Sequence, residues 1–146
     1  MLALKMLSLR FLRPVLSLAS TVTHIRALST APKIVKFKTA DQEWNAKAKI
    51  GDSLLDVMLN NDIPLDGFGA CEGTLACCTC HVVLSKEHFE RQDRTNPAGE
   101  EELDLLDLAP DLNDLSRLGC QIRVETCDPD EIEVVVPSIQ RDARTM

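Results

Sequence analysis

Four of the six cysteines in this 146-residue chain lie within ten consecutive positions, Cys71-Glu-Gly-Thr-Leu-Ala-Cys-Cys-Thr-Cys80. Five residues separate Cys71 from Cys77, two separate Cys77 from Cys80, and thirty-nine separate Cys80 from Cys120. A thiolate is a soft anionic ligand, and a two-residue gap lets neighbouring thiolates converge on one metal site. Gly73 lets the chain wrap closely and aim backbone N–H groups at a negative centre. Taking Cys78 as a ligand would leave one residue before Cys80, a poor bite. Cys78 and Cys127 are therefore read as small apolar side chains.

Structural zinc sites more often use two separate Cys-x2-Cys pairs, and only one such pair exists here. Three cysteines close in sequence, with a fourth supplied by the fold, suit one 2Fe-2S cluster, although the plant-type spacing has four residues in its first gap. A structural zinc-binding interaction module is the alternative, and a disulfide-stapled secreted domain a third. Four thiolates saturate a 2Fe-2S centre, so it would carry single electrons rather than transform a bound molecule. Its tuning would come from N–H donors, solvent exposure and nearby charge. No nucleophile–base set and no phosphate loop is visible, which argues against an independent enzyme.

The net charge of −7 is a sum of two unlike parts. Residues 1–40 hold seven basic residues and no acidic one, whereas from Asp41 onward nine basic residues face all 23 acidic ones, a charge of −14. The first part, rich in Leu, Ser and Arg, reads as a mitochondrial transit peptide over 1–30, cleaved near Ser29 after the Arg26-Ala-Leu step. Lys5, Arg10 and Arg13 interrupt what a secretory signal would need as its apolar run. The longest charge-free run in this part, Pro14 to Ile25, is too short to span a bilayer. A matrix location is reducing, which favours metal ligation over disulfides. The acidic body excludes nucleic acid as partner.

The elements follow from periodicity. Ile34 to Lys38 and Glu43 to Ile50 alternate as a strand pair turning at Ala40-Asp41. Asp52 or Ser53 caps a helix bearing Leu54, Leu55, Met58 and Leu59, ended by Asn60-Asn61-Asp62 and Pro64. Leu65 to Cys80 has no periodicity and is a loop. His81 to Leu84, Gln121 to Glu125 and Ile132 to Val136 read as strands. Asn96-Pro97 opens a second helix that Pro110 closes. The expected architecture is α+β, with one domain over 31–139 and a flexible tail over 140–146.

On the second helix, Glu100, Asp104 and Asp107 share one face, with Glu101 and Glu102 beside them and no interleaved Lys or Arg. Acids early in a helix suit its dipole, but Asp107 lies near the other end. Like charges at i,i+4 cost about 0.2–0.5 kcal/mol a pair. An uncompensated stripe points to a basic partner surface.

The segments GDSLLDV, DGFGACEGTLACCTCH, EEELDLLDLA and SRLGCQI strongly resemble the mitochondrial adrenodoxin-type 2Fe-2S ferredoxins, over Ile34 to Arg144. The resemblance implies a ferredoxin-like β-grasp fold: a mixed sheet, one main helix and an acidic partner-binding helix. It places the cluster ligands at Cys71, Cys77, Cys80 and Cys120, and Cys78 where relatives carry a small hydroxyl residue. N–H donors are expected between Gly69 and Cys77, with Gly69, Gly73, Thr74 and Ala76 beside the cluster. His81 is expected to hydrogen-bond between the cluster loop and the acidic helix. Partner contacts are implied at Glu101, Glu102, Asp104 and Asp107. The implied partners are an NADPH-dependent flavoprotein reductase and, as acceptors, mitochondrial cytochrome monooxygenases of steroid or sterol type or the iron–sulfur cluster assembly scaffold. The carrier is expected to be a monomer in the matrix. The ending VPSIQRDAR looks like the steroidogenic branch, whereas Pro110 after LDLA is closer to the cluster-assembly branch.

Overall fold

The computed structural model describes residues 32–145, so the expected leader over 1–30 lies outside the described residues. Alternation sets the first hairpin: β1 (Lys33–Lys38) buries Val35 and Phe37, and β2 (Glu43–Ala48) buries Ala46 and Ala48. Ser53 then caps α1 (Leu54–Asn60). Its hydroxyl accepts from the Asp56 N–H while the Asp56 carboxylate accepts from the Ser53 N–H, a capping box. α1 buries Leu54, Leu55, Val57 and Met58 in the same core as Val35 and Phe37. After a long loop come β3 (His81–Leu84), α2 (Lys86–Thr95), α3 (Glu100–Leu106), β4 (Ser116–Leu118) and β5 (Glu131–Val135). The five strands form one mixed sheet in the order β2-β1-β5-β3-β4. β1 and β5 pair parallel, and the other pairs are antiparallel. No helix among the described residues is long and apolar enough to cross a membrane.

Three expectations need correction. The ten-residue α2 is the longest helix and was not expected at all. Its buried residues are His88 and Gln92, so its inward face is polar and lacks an apolar stripe. The helix expected from Asn96-Pro97 begins only after Gly99, and it stops at Leu106, ahead of Pro110. Gln121 to Glu125 is not a strand. It is extended, but its backbone partners are the residues leading into α1, with Leu54 N–H donating to Ile122 O at 3.0 Å and Val124 N–H to Asp52 O at 2.9 Å. Near the chain's end, Ala143 N–H donates to Cys77 O at 3.0 Å, and Ala143–Thr145 forms a 3-10 turn.

Candidate metal centre

The cysteine loop is held between α1 and β3, and its shape depends on residues in left-handed conformation. Gly69 has φ +69°, which favours glycine, and a Cβ there would sit 2.2 Å from Leu55 Cδ1, so a side chain would have to push Leu55 aside. Glu72, Gly73, Leu75 and Cys78 also take positive φ. Turns of this kind can aim N–H groups at an anion-binding hollow, and here the Ala76 and Cys77 N–H groups act on Cys71, while those of Glu72 and Thr74 bond to Gly69 O and Cys71 O.

Within that hollow the thiols come as two pairs. Cys80 and Cys120 lie with their sulfurs 3.4 Å apart, and Gly119 N–H donates to Cys80 O at 2.8 Å to hold the two segments together. Cys71 and Cys77 are the other two, close enough that the Cys77 thiol and N–H favour the Cys71 thiolate. Gly73 lies over Cys120, its missing Cβ 3.6 Å from the Cys120 Cβ. All four are buried, Cys77 and Cys80 almost completely. Among the described residues, no three His, Cys, Asp or Glu groups gather around a position for a single metal ion. Two thiol pairs inside a shell of N–H donors are the donor set for two bridged irons with two thiolates each, and in that sense the residues present fit a 2Fe-2S cluster.

The surroundings favour thiolates. Burial opposes ionisation of Cys71, but hydrogen bonds from the Ala76 N–H, the Cys77 thiol and N–H and the Thr74 hydroxyl outweigh it and bring its pKa down to about 6. Cys120 is lowered chiefly by the hydrogen bond from the Cys80 thiol, against burial, and Gln121 Nε2 adds a donor at 3.3 Å. Cys80, which gives that hydrogen bond and is deeply buried, is raised. Cys78 is pushed up to about 11, first by burial and then by the neighbouring thiols, and it packs in the hydrophobic core. All six cysteines are free thiols, and Cys127 is exposed.

Two neighbours carry no signal in cysteine spacing. Thr79 Oγ1 accepts from the Ala70 N–H at 3.0 Å and lies 3.1 Å from Cys77 Sγ, free to donate to it. Gln121 is noticed only once the chain brings position 120 home. His81 is buried, its Nε2 2.8 Å from Ser116 Oγ, and Ser116 Oγ accepts from the Asn113 N–H at 3.0 Å. The ring thus joins the strand leaving the cysteine loop to the acidic 107–114 segment, and burial holds its pKa low.

The acidic surface divides. Glu100, Glu101, Asp104 and Asp107 are exposed, as are Asp111 and Asp114 beyond the helix. Glu102 departs from the expectation that it contacts partners. It is 3% exposed, its two oxygens accept from Arg117 Nε and Nη2 at 2.7 and 3.0 Å, and Oε1 also accepts from the Leu118 N–H at 2.9 Å. Facing inward one turn from the exposed acids, Glu102 ties α3 to β4 ahead of Cys120.

With that geometry in view, the chain's relatives are informative. Residues 37–125 match the family described as "2Fe-2S iron-sulfur cluster binding domain". "Adrenodoxin-like protein 2, mitochondrial" of Drosophila melanogaster is 56% identical over 96 residues, which is 66% of this chain and 61% of that protein. "Adrenodoxin, mitochondrial" of Gallus gallus is 47% identical over 139 residues, covering 94% of this chain and 91% of the other. The chain thus spans less than two thirds of the fly relative and nearly all of the chicken one. Among solved structures, the covalent putidaredoxin reductase–putidaredoxin complex contains a chain that is 30% identical, with a TM-score of 0.58 over 71% of this chain and 97% of that one.

Proposed function

Because the chain belongs to the adrenodoxin-type 2Fe-2S ferredoxins, β-grasp proteins that carry electrons on one such cluster, we propose that Cys71, Cys77, Cys80 and Cys120 hold that cluster here. The observation that supports these four is that Cys120 comes home to Cys80, their sulfurs 3.4 Å apart, while the Ala76 and Cys77 N–H groups and the Cys77 thiol favour a thiolate at Cys71. When bound, the cluster supplies a centre that takes up and releases one electron at a time. The protein's own part is to fix the thiolates, to stabilise the added negative charge through the Ala76 and Cys77 N–H groups, Thr74, Thr79 and Gln121, and to exclude water. Gly69 and Gly73 allow the close wrapping that this requires.

The carrier works in the mitochondrial matrix after loss of residues 1–30, as a monomeric domain over 31–139 with a flexible tail over 140–146. It takes electrons from an NADPH-dependent flavoprotein reductase and gives them to cytochrome monooxygenases of steroid or sterol type, to the iron–sulfur assembly scaffold, or to both. A solved complex of a related ferredoxin with its reductase supports the first partner. The exposed acids Glu101, Asp104 and Asp107 form the contact surface, with Glu102 as the internal anchor of the helix that presents them. The basic, Ser- and Arg-bearing leader and the mitochondrial names of the relatives support the location.

The test is ligand replacement. Each of the four cysteines is changed to serine in the full chain, which is reconstituted anaerobically with iron and sulfide. The visible spectrum and the paramagnetic signal of the reduced state are then compared with the parent. Loss or alteration at all four positions is expected. A variant that keeps both unaltered removes its cysteine from the ligand set.

A further inference from the structure

A groove of about 420 Å³ lies between α2, α3 and the segment that follows α3. Phe89, Leu103 and Leu112 give it apolar walls, and Leu103 and Leu112 keep 51% and 46% of their surface exposed. Asp93, Asp107 and Asp114 also line it. So does Arg117, which is 1% exposed. Its Nε and Nη2 are committed to Glu102, and Nη2 also to Asn96 O at 3.1 Å, but the buried Nη1 has no partner.

Each of these features restricts what can enter. Half-exposed leucines facing one another invite an apolar side chain, since burying a large aliphatic group stabilises a complex by about 1.5–3 kcal/mol. Three carboxylates on the walls repel anions and attract Lys or Arg. Arg117 is buried beneath the groove with its guanidinium held by Glu102 and Asn96 O, so the charge that the groove presents is that of the three acids. We propose that this groove receives an apolar side chain from a basic partner protein, with Asp93, Asp107 and Asp114 pairing with Lys or Arg that flank that side chain. This rests on the reading of α3 as a docking surface and adds to it. The exposed acids hasten encounter, while the groove supplies the desolvated anchor that sets residence time, the pattern of an apolar centre inside a charged rim.

The experiment uses the cluster-loaded full chain and an adrenodoxin-type flavoprotein reductase as the probe. Binding is titrated from low to high salt for the parent and for Leu103→Gln/Leu112→Gln, which keeps the net charge. The visible spectrum confirms that the variant is intact, and Leu112→Gln alone, outside the helix, serves if the double variant folds poorly. The proposal expects Kd to rise about tenfold in the double variant with an unchanged salt slope. It also expects the methyl resonances of Leu103 and Leu112 in the parent to shift on adding reductase. An unchanged Kd with a steep salt slope overturns the groove and leaves the acidic docking surface standing. Salt-independent binding by the parent overturns the docking surface itself. Methyl shifts caused by lauric acid and not by reductase overturn the assignment of a protein occupant.

Discussion

Glu101 and Glu102 are adjacent acids with opposite situations, one exposed and the other 3% exposed with three donors on its carboxylate. Removing one member of a buried ion pair leaves the other charged and unpaired, which costs about 3–5 kcal/mol. Glu102→Gln should therefore lower the urea midpoint steeply, whereas Glu101→Gln should leave stability within about 0.5 kcal/mol. Equal effects on stability would mean that Glu102 is not the anchor of α3. Thr79 tests the cluster loop in the same way. Thr79→Val removes the acceptor of the Ala70 N–H and the hydroxyl beside Cys77 Sγ. The first loss should cost about 0.5–1.5 kcal/mol. The second withdraws a hydrogen bond that steadies added negative charge on the sulfur, so the reduction potential should fall. Protein-film voltammetry reads that shift, and an unchanged or raised potential would take Thr79 out of the tuning shell.

At the scale of elements, what α3 presents is separable from what holds it. Asp104 and Asp107 are exposed and make no ion pair among the described residues. Asp104→Lys/Asp107→Lys should leave the visible spectrum as it is, cut reductase-driven turnover at low salt by an order of magnitude or more, and flatten its dependence on ionic strength. Turnover equal to the parent at low salt would remove α3 from docking. The same elements show what the sequence makes legible. The β1–β2 hairpin and α1 could be read because their apolar alternation and their Ser53 cap are local signals. α2 could not, because it is capped by Ser85 yet turns His88 and Gln92 inward, and Gln92 Nε2 donates to Arg123 O at 2.9 Å, a partner 31 residues away. Spacing placed Cys71, Cys77, Cys80 and Cys120 as one set, but it could not separate Glu102 from its neighbours, since helical phase near a frayed start is not fixed by pattern alone. Nor could polarity reveal that the Ala143 N–H donates to Cys77 O.

Across the whole molecule, α2, β1 and the turn before β5 meet at Asp128. Its Oδ2 accepts from the Glu125 N–H at 2.8 Å, its Oδ1 from Arg91 Nε at 3.2 Å, and its carbonyl from the buried Lys33 ammonium. His88 stands 2% exposed in this junction, its Nε2 3.7 Å from Asp128 Oδ1 and neither ring nitrogen hydrogen-bonded. Burial lowers its pKa. The Asp128 and Glu125 carboxylates pull the other way, and the Arg91 charge assists burial. The native state therefore keeps His88 neutral at a pH where the unfolded chain, with a histidine pKa of about 6.5, has begun to take up a proton. The stability this confers is present above about pH 6.5 and is lost as pH falls below it, by at most ~1.4 kcal/mol per pH unit for one group. The urea midpoint of the holoprotein should thus decline from pH 7 to pH 5. His88→Leu, which gives up no hydrogen bond, should flatten that decline. A slope as steep in His88→Leu as in the parent would place the proton uptake elsewhere and leave the Asp128 junction insensitive to acid in this range.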